Sequence, residues 1–204
     1  MYNKYQYHQE RGTDMPPTIR YTHDAVLSSA FELVRRNGLS ALNARAVAQE
    51  LGSSTQPIFR LFSGMDELRV GVIEMAQEKM RDYMQRALEG SDTPYLTMGI
   101  SYVRFARDEA ELFKALFMQD QSIDIEKMLP IPAELVETIA QTAGISVEHA
   151  KVLHTWLWIF THGLAVSVAT KSCCVSDEHL PHILAGAYEA AMLKLQQNIK
   201  DHVI

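Results

Sequence analysis

The chain is poor in cysteine: Cys173 and Cys174 are its only two, and they are neighbours. Adjacent cysteines close a strained ring when they pair, so no disulfide framework holds this fold, and a cytoplasmic setting fits. Runs of β-branched residues with period-2 alternation are also hard to find, which argues against sheets. The N-terminus lacks the apolar core of a signal peptide, with Tyr2, Tyr5, Tyr7 and polar residues in its place. There is no internal repeat and no low-complexity segment. Gly-x-Ser-x-Gly, a Gly-rich phosphate loop and His-Glu-x-x-His are all missing, so the reading is of a non-enzyme with no resident cofactor or metal. A single stretch approaches membrane-spanning length without charge, from Val152 to Thr170. His154, Thr155, Thr161, His162, Ser167 and Thr170 interrupt it. We read a helix buried on most sides, as at a helical dimer interface, and no membrane contact.

What is present is ordinary globular composition, 47% hydrophobic and 22% charged. Ala, Leu, Met, Glu and Gln recur throughout, and an all-α fold follows. The net charge of −6 divides unevenly. Residues 1–62 hold seven Lys/Arg against five Asp/Glu, a net of +2, whereas residues 63–204 hold twelve against twenty, a net of −8. The asymmetry hints at contact with DNA in front and solubility behind.

Residues 1–18 read as a flexible tail, since Pro16-Pro17 forbids helix there, with Met15 as an alternative start. Thr22 caps a first helix to about Asn37, whose apolar face is Val26, Leu27, Ala30, Phe31, Leu33 and Val34. Gly38 is expected to be its left-handed C′ residue, with Leu39 packing back on Val34. Asn43 caps a short second helix that Gly52 ends, with Leu42 and Val47 placed as a staple. Ser54 is expected to cap a third helix to about Phe62, with Pro57 at its third position. A long amphipathic helix covers 65–88, its stripe of Leu68, Val72, Met75, Tyr83 and Ala87 broken by Lys79. Helices follow near 93–107, 109–118, 132–143, 147–170 and 178–199, with a polar loop at 119–128.

Two short helices joined by a Gly-containing turn, with a helix packed across them, make a helix-turn-helix unit. Its third helix offers polar groups at the start, Ser54-Thr55-Gln56, and apolar anchors inside, Ile58, Leu61 and Phe62. Gln can make a bidentate contact with adenine, and the Thr methyl can meet that of thymine. Over Ile19–Leu68 the sequence resembles the TetR family of regulators. The resemblance is carried by Thr22, Ala30, Gly38, Ala44-Arg45-Ala46-Val47-Ala48, Leu51-Gly52, Ser54-Thr55-Gln56-Pro57-Ile58-Phe59-Arg60-Leu61-Phe62 and Asp66-Glu67-Leu68. Further on, Phe105-Ala106-Arg107-Asp108-Glu109-Ala110-Glu111-Leu112-Phe113 resembles a segment of the family's sensor half. Trp158 with His162-Gly163 resembles the Trp…His-Gly signature of one of its subgroups. Three positions depart from the family pattern: Phe59 stands for a phosphate-contacting Tyr, Leu61 for His, and Met65 for Lys.

The resemblance implies a DNA-binding segment over 19–64 and a ligand-sensing, dimerising helical bundle over 65–204. Operator contacts are expected from Arg20, Asn43, Ala44, Arg45, Ser54, Thr55, Gln56, Pro57, Phe59 and Arg60. Arg35 and Arg36, at a helix C-terminus, are read as structural. An effector pocket is expected from Tyr83, Tyr102, Phe105, Phe113, Phe117, Trp156 and Phe160 taken together, although any one of them is more often core packing. The dimer interface is expected from Leu180, Leu184, Ala187, Tyr188, Ala191 and Leu195. His162 reads as a buried histidine rather than a metal ligand, and His154 lies eight residues away from it. His179 and His182, beside Asp177 and Glu178, have the residue types of a metal site but are not read as one, and Cys173-Cys174 read as small residues at a helix end rather than a redox pair. The expected function is a homodimeric regulator, a repressor of a palindromic operator, released when a small molecule tilts the 65–88 helix. The alternative is a ligand-binding or interaction module with weakened DNA binding, suggested by Phe59, Leu61 and Met65.

Overall fold

The computed structural model describes residues 21–119 and 133–201. The expected tail, Arg20 and all but the first residue of the expected 119–128 loop lie outside these residues. The described residues form an all-α fold of nine helices and one 3-10 turn. The helices are α1 His23–Asn37, α2 Ala44–Glu50, α3 Gln56–Leu61, α4 Met65–Leu88, α5 Pro94–Asp108, α6 Ala110–Phe117, α7 Ala133–Ala143, α8 Val147–Ala169 and α9 His179–Lys200. The 3-10 turn, Leu39–Ala41, joins α1 to α2 and has no counterpart in the expected elements.

Local chemistry explains most of the boundaries. Thr22 Oγ1 accepts from Ala25 N at 3.2 Å and opens α1. Asn43 Oδ1 does the same for Ala46 N at 3.0 Å and opens α2, while its Nδ2 donates to Ala41 O. At the front of α3 the expectation needs correcting: the cap is Thr55, not Ser54, and Pro57 therefore falls at the second position. Gly38 also differs from expectation. Its φ of 81° is positive, but its ψ of 165° places it in the extended region open to glycine alone, not in the left-handed helical region. A Cβ there would come within 2.6 Å of Glu111 Oε2, so α6 closes against the end of α1.

α1 packs across α2, α4 and α6, and α4 packs on α5 and α6. α8 lies against α5, α6, α7 and α9. The apolar residues gather in two clusters. The larger runs without a break from Val26, Val34, Val47 and Ile58 through Leu68 and Val72 to Phe105, Phe113, Ala165 and Leu184. The expected boundary near residue 64 therefore does not divide the apolar core, which crosses it. The smaller cluster holds Val136, Ile139, Leu153, Leu157 and Leu195. Both clusters use α8, the first its C-terminal half and the second its N-terminal half.

Among the described residues, α8 is the one helix long and apolar enough, by length and composition, to cross a membrane. The expectation for it is burial on most sides. Within one chain only 33% of its apolar window is buried, and Ile159 and Phe160 stand exposed.

Candidate nucleic-acid interface and the aromatic core behind it

The six residues of α3 have two faces. Ile58 is fully buried, and Phe62, which ends the helix, is 3% exposed. The ring of His23 stacks on Phe62 with centroids 4.2 Å apart, and Tyr21 Oη donates to Leu51 O in the turn before α3. These contacts fix the helix from behind. On the outer face Gln56, Phe59 and Arg60 are exposed, at spacings of three and four that place them together. Thr55 makes no side-chain capping hydrogen bond, so its hydroxyl is not used by the helix it opens. Ser54 is exposed beside it, and Pro57 is half-buried.

Asn43 and Ala44, both expected at the operator, lie at the start of α2, Asn43 exposed and Ala44 half-buried. The Asn43 amide caps α2 through Oδ1 and donates from Nδ2 to Ala41 O in the preceding turn, and Ala44 packs partly against the first cluster. Their neighbour Arg45 is exposed.

The arginines of this segment fall into two kinds. Arg36 Nη2 donates to Glu50 at 2.5 Å. Arg35 makes a bidentate pair with Glu109, both contacts at 2.7 Å, and lies 3.5 Å from Glu32. Arg45 and Arg60 have no carboxylate partner among the described residues. The reading of Arg35 and Arg36 as structural holds, but through ion pairs as well as through the helix dipole. From Leu51 to Met65 the sequence contains no Asp or Glu, while Glu50, Asp66 and Glu67 border that stretch, Glu50 paired with Arg36 and Glu67 held by Ser63.

Behind this face sits a charged junction. Glu109 lies where α5 meets α6, with its side chain 10% exposed, and receives Arg35 of α1 and Lys79 of α4, the latter at 3.4 Å. Burial alone would raise the Glu109 pKa; the hydrogen bond from Arg35 and the Lys79 and Arg35 charges hold it below the ordinary carboxylate value. Lys79, the polar break in the α4 stripe, is thus part of the packing. Nearby, Tyr83 Oη donates to Asp108 at 2.6 Å, and burial followed by that carboxylate pushes the phenol up to about 12. Asp177, between α8 and α9, accepts from Arg104 and Arg107 of α5 and fastens that connection. Glu67 accepts from Ser63 N at 2.6 Å and from Ser63 Oγ at 2.7 Å, closing the three-residue link from α3 to α4.

The residues expected to line one effector pocket are distributed among several environments. Phe105 and Phe113 are fully enclosed in the first cluster, and Trp156 belongs to the second. Phe160 is 44% exposed on the surface. Tyr102 and Phe117 do come together, around His162. Tyr102 Oη lies 2.9 Å from His162 Nδ1, and the tilted rings of Phe113 and Phe117 flank the pair. The Trp158 ring stacks on His162 at 4.7 Å and 9°. Burial raises the Tyr102 pKa and lowers that of His162. A second pair, Tyr95 Oη with His154 Nδ1 at 3.1 Å, sits beside Tyr188. Sequence reasoning missed that pair, because nothing in the spacing of residues 95 and 154 links them. An open groove of about 560 Å³ lies along Cys174, Val175, Ser176, His179 and Ile183 and includes none of the expected pocket residues.

The expected dimer face also needs correcting. Leu180, Leu184 and Leu195 are 2%, 6% and 0% exposed within one chain, committed to its own two cores. Ala187, Tyr188 and Ala191 pack partly against the second. The stripe left open on α9 is Ile183, Gly186, Ala190 and Leu193, rotated onto the neighbouring face.

No family model matches the chain, and no curated protein resembles it at a significant level. What the site can do therefore rests on its own residues.

Proposed function

We propose that the protein is a homodimeric DNA-binding transcription regulator whose α3 enters the major groove. The observation that carries this is the contrast among its arginines. Arg35 and Arg36 are held by carboxylates, whereas Arg45 and Arg60 are exposed and unpaired among the described residues, Arg60 on the short helix that follows half-buried Thr55 and carries exposed Gln56 and Phe59. Arg45 and Arg60 would neutralise phosphates, and Gln56 and Thr55 would address base edges. Two such helices are needed for a palindromic site. The exposed apolar residues of α8, Ile159 and Phe160, and of α9, Ile183 and Leu193, lie on two helices that pack together and supply a face for a second copy.

Release by a small molecule is part of the same proposal. The cluster of Tyr102, Phe117, Trp158 and His162 presents flat aromatic faces with a polar pair among them. Phe113 of that cluster lies on α6, whose start bears Glu109, and Glu109 holds Arg35 of α1 and Lys79 of α4. An effector that moved α6 would thereby act on the helices that carry α3. Effector and operator would weaken each other's binding by the same factor.

The test is selection of bound sequences from a random duplex library, followed by anisotropy titrations across salt concentrations. A palindromic sequence should emerge, bound with a steep negative salt slope. Arg45→Ala and Arg60→Ala should each flatten the slope by about one unit for every phosphate they no longer neutralise. Arg36→Ala, whose charge faces Glu50, should leave it unchanged. Failure to enrich any sequence at low salt would sink the proposal.

A further inference from the structure

We infer that Phe59 reads the C5 methyl of a pyrimidine, so that each operator half-site carries a thymine next to the adenine addressed by Gln56. The inference rests on the reading of α3 as the helix that enters the major groove. Phe59 is 57% exposed in the middle of the outer face, while its neighbours Ile58 and Phe62 are locked in the core. A phenylalanine has no hydrogen-bonding group, so it contributes nothing to a phosphate and gains only by covering apolar surface. The major groove offers one apolar group on an unmodified base edge, the thymine methyl.

The surroundings select the occupant. Arg60 is the next residue, Arg45 is likewise exposed, and no acidic residue occurs from Leu51 to Met65. An apolar spot next to an exposed arginine that has no carboxylate partner among the described residues suits a polyanion that carries methyl groups better than it suits a protein core. The other exposed apolar residues with a ready partner, Ile159, Phe160, Ile183 and Leu193, lie on α8 and α9. Register agrees as well. Gln56 and Phe59 are three residues apart on one helix, with Cβ atoms about 5–6 Å apart, and base pairs rise by about 3.4 Å. The two side chains therefore reach the same base pair or adjacent ones.

The experiment takes the full chain and the duplex obtained by selection, and replaces each thymine in both half-sites by deoxyuridine, which removes only the methyl. At one thymine position per half-site, affinity for the wild-type protein should fall about fourfold for each methyl removed. Replacing the deoxyuridine by 5-methyl-deoxycytidine, with guanine opposite, should restore less than thymine does, because Gln56 then meets a changed neighbour. Phe59→Ala should bind the thymine and deoxyuridine duplexes equally and keep the wild-type salt slope, since no charge is altered. The exposed position makes the substitution harmless to the fold, which a melting curve verifies. Wild-type protein that binds the selected duplex but ignores every deoxyuridine overturns the inference and leaves the regulator standing. Equal methyl discrimination by Phe59→Ala overturns it too, assigning the methyl to another residue. Absence of any selected duplex removes the regulator itself.

Discussion

The Tyr102 hydroxyl and the His162 ring face each other at 2.9 Å inside a set of aromatic faces, and Tyr95 and His154 repeat the arrangement at 3.1 Å. Burial lowers both histidine pKa values from 6.5. Because the folded chain disfavours the imidazolium, the unfolded chain takes up protons first as pH falls below about 6.5. The stability contributed by neutral histidine is complete above that value and is lost as pH falls through the depressed folded values. The melting temperature should therefore decline between about pH 7 and 5.5, before the carboxylates of Glu109 and Asp177 begin to protonate. Replacing His154 and His162 by glutamine should flatten that decline. A wild-type melting temperature constant over the interval would show that the rings are not held neutral. The side chains involved were legible to different degrees. Trp158 and His162 were visible as a motif, because both lie on one helix at a spacing of four. The partners Tyr102 and Tyr95 come from α5, and pairing across about sixty residues leaves no local trace.

At the scale of elements, helix existence was legible nearly throughout, because period and capping residues agree at Thr22 and Asn43. Faces were less so. On α9 the sequence pointed outward with residues 180, 184 and 195, and only packing against α5 and α8 shows that these are internal and that 183, 186, 190 and 193 are left open. The break at Lys79 in the α4 stripe was visible, but its partner Glu109 was not, since the pair exists only once α5 and α6 have been placed. That junction yields a prediction. Glu109→Gln should lower the unfolding free energy by about 1.5–3 kcal/mol, because Arg35 and Lys79 lose a largely buried anion. Glu50→Gln, which releases Arg36 on the surface, should cost no more than about 1 kcal/mol. Urea denaturation of the two variants compares them directly; equal small losses would mean that the junction is mere surface decoration.

For the whole molecule, the exposed Ile183 and Leu193 predict association of two chains. Ile183→Glu with Leu193→Glu should shift the protein to a monomer in sedimentation while leaving its helical circular dichroism unchanged, since both side chains lie outside the chain's own cores. A wild-type protein already monomeric at micromolar concentration would discard this face. The same variant should also lose most of its affinity for a palindrome, because the two half-sites are then bound independently. One consequence follows from the short link between α3 and α4. Phe62 is buried and Ser63 is tied to Glu67, so α3 is fixed to the end of a rod of 24 residues, about 36 Å long. A swing of about 5° about the far end of that rod carries the near end along an arc of about 3 Å, close to the rise of one base pair. In the proposed dimer on DNA, a change smaller than most side-chain rearrangements would put the two copies of α3 out of step with the groove by nearly a full base pair each.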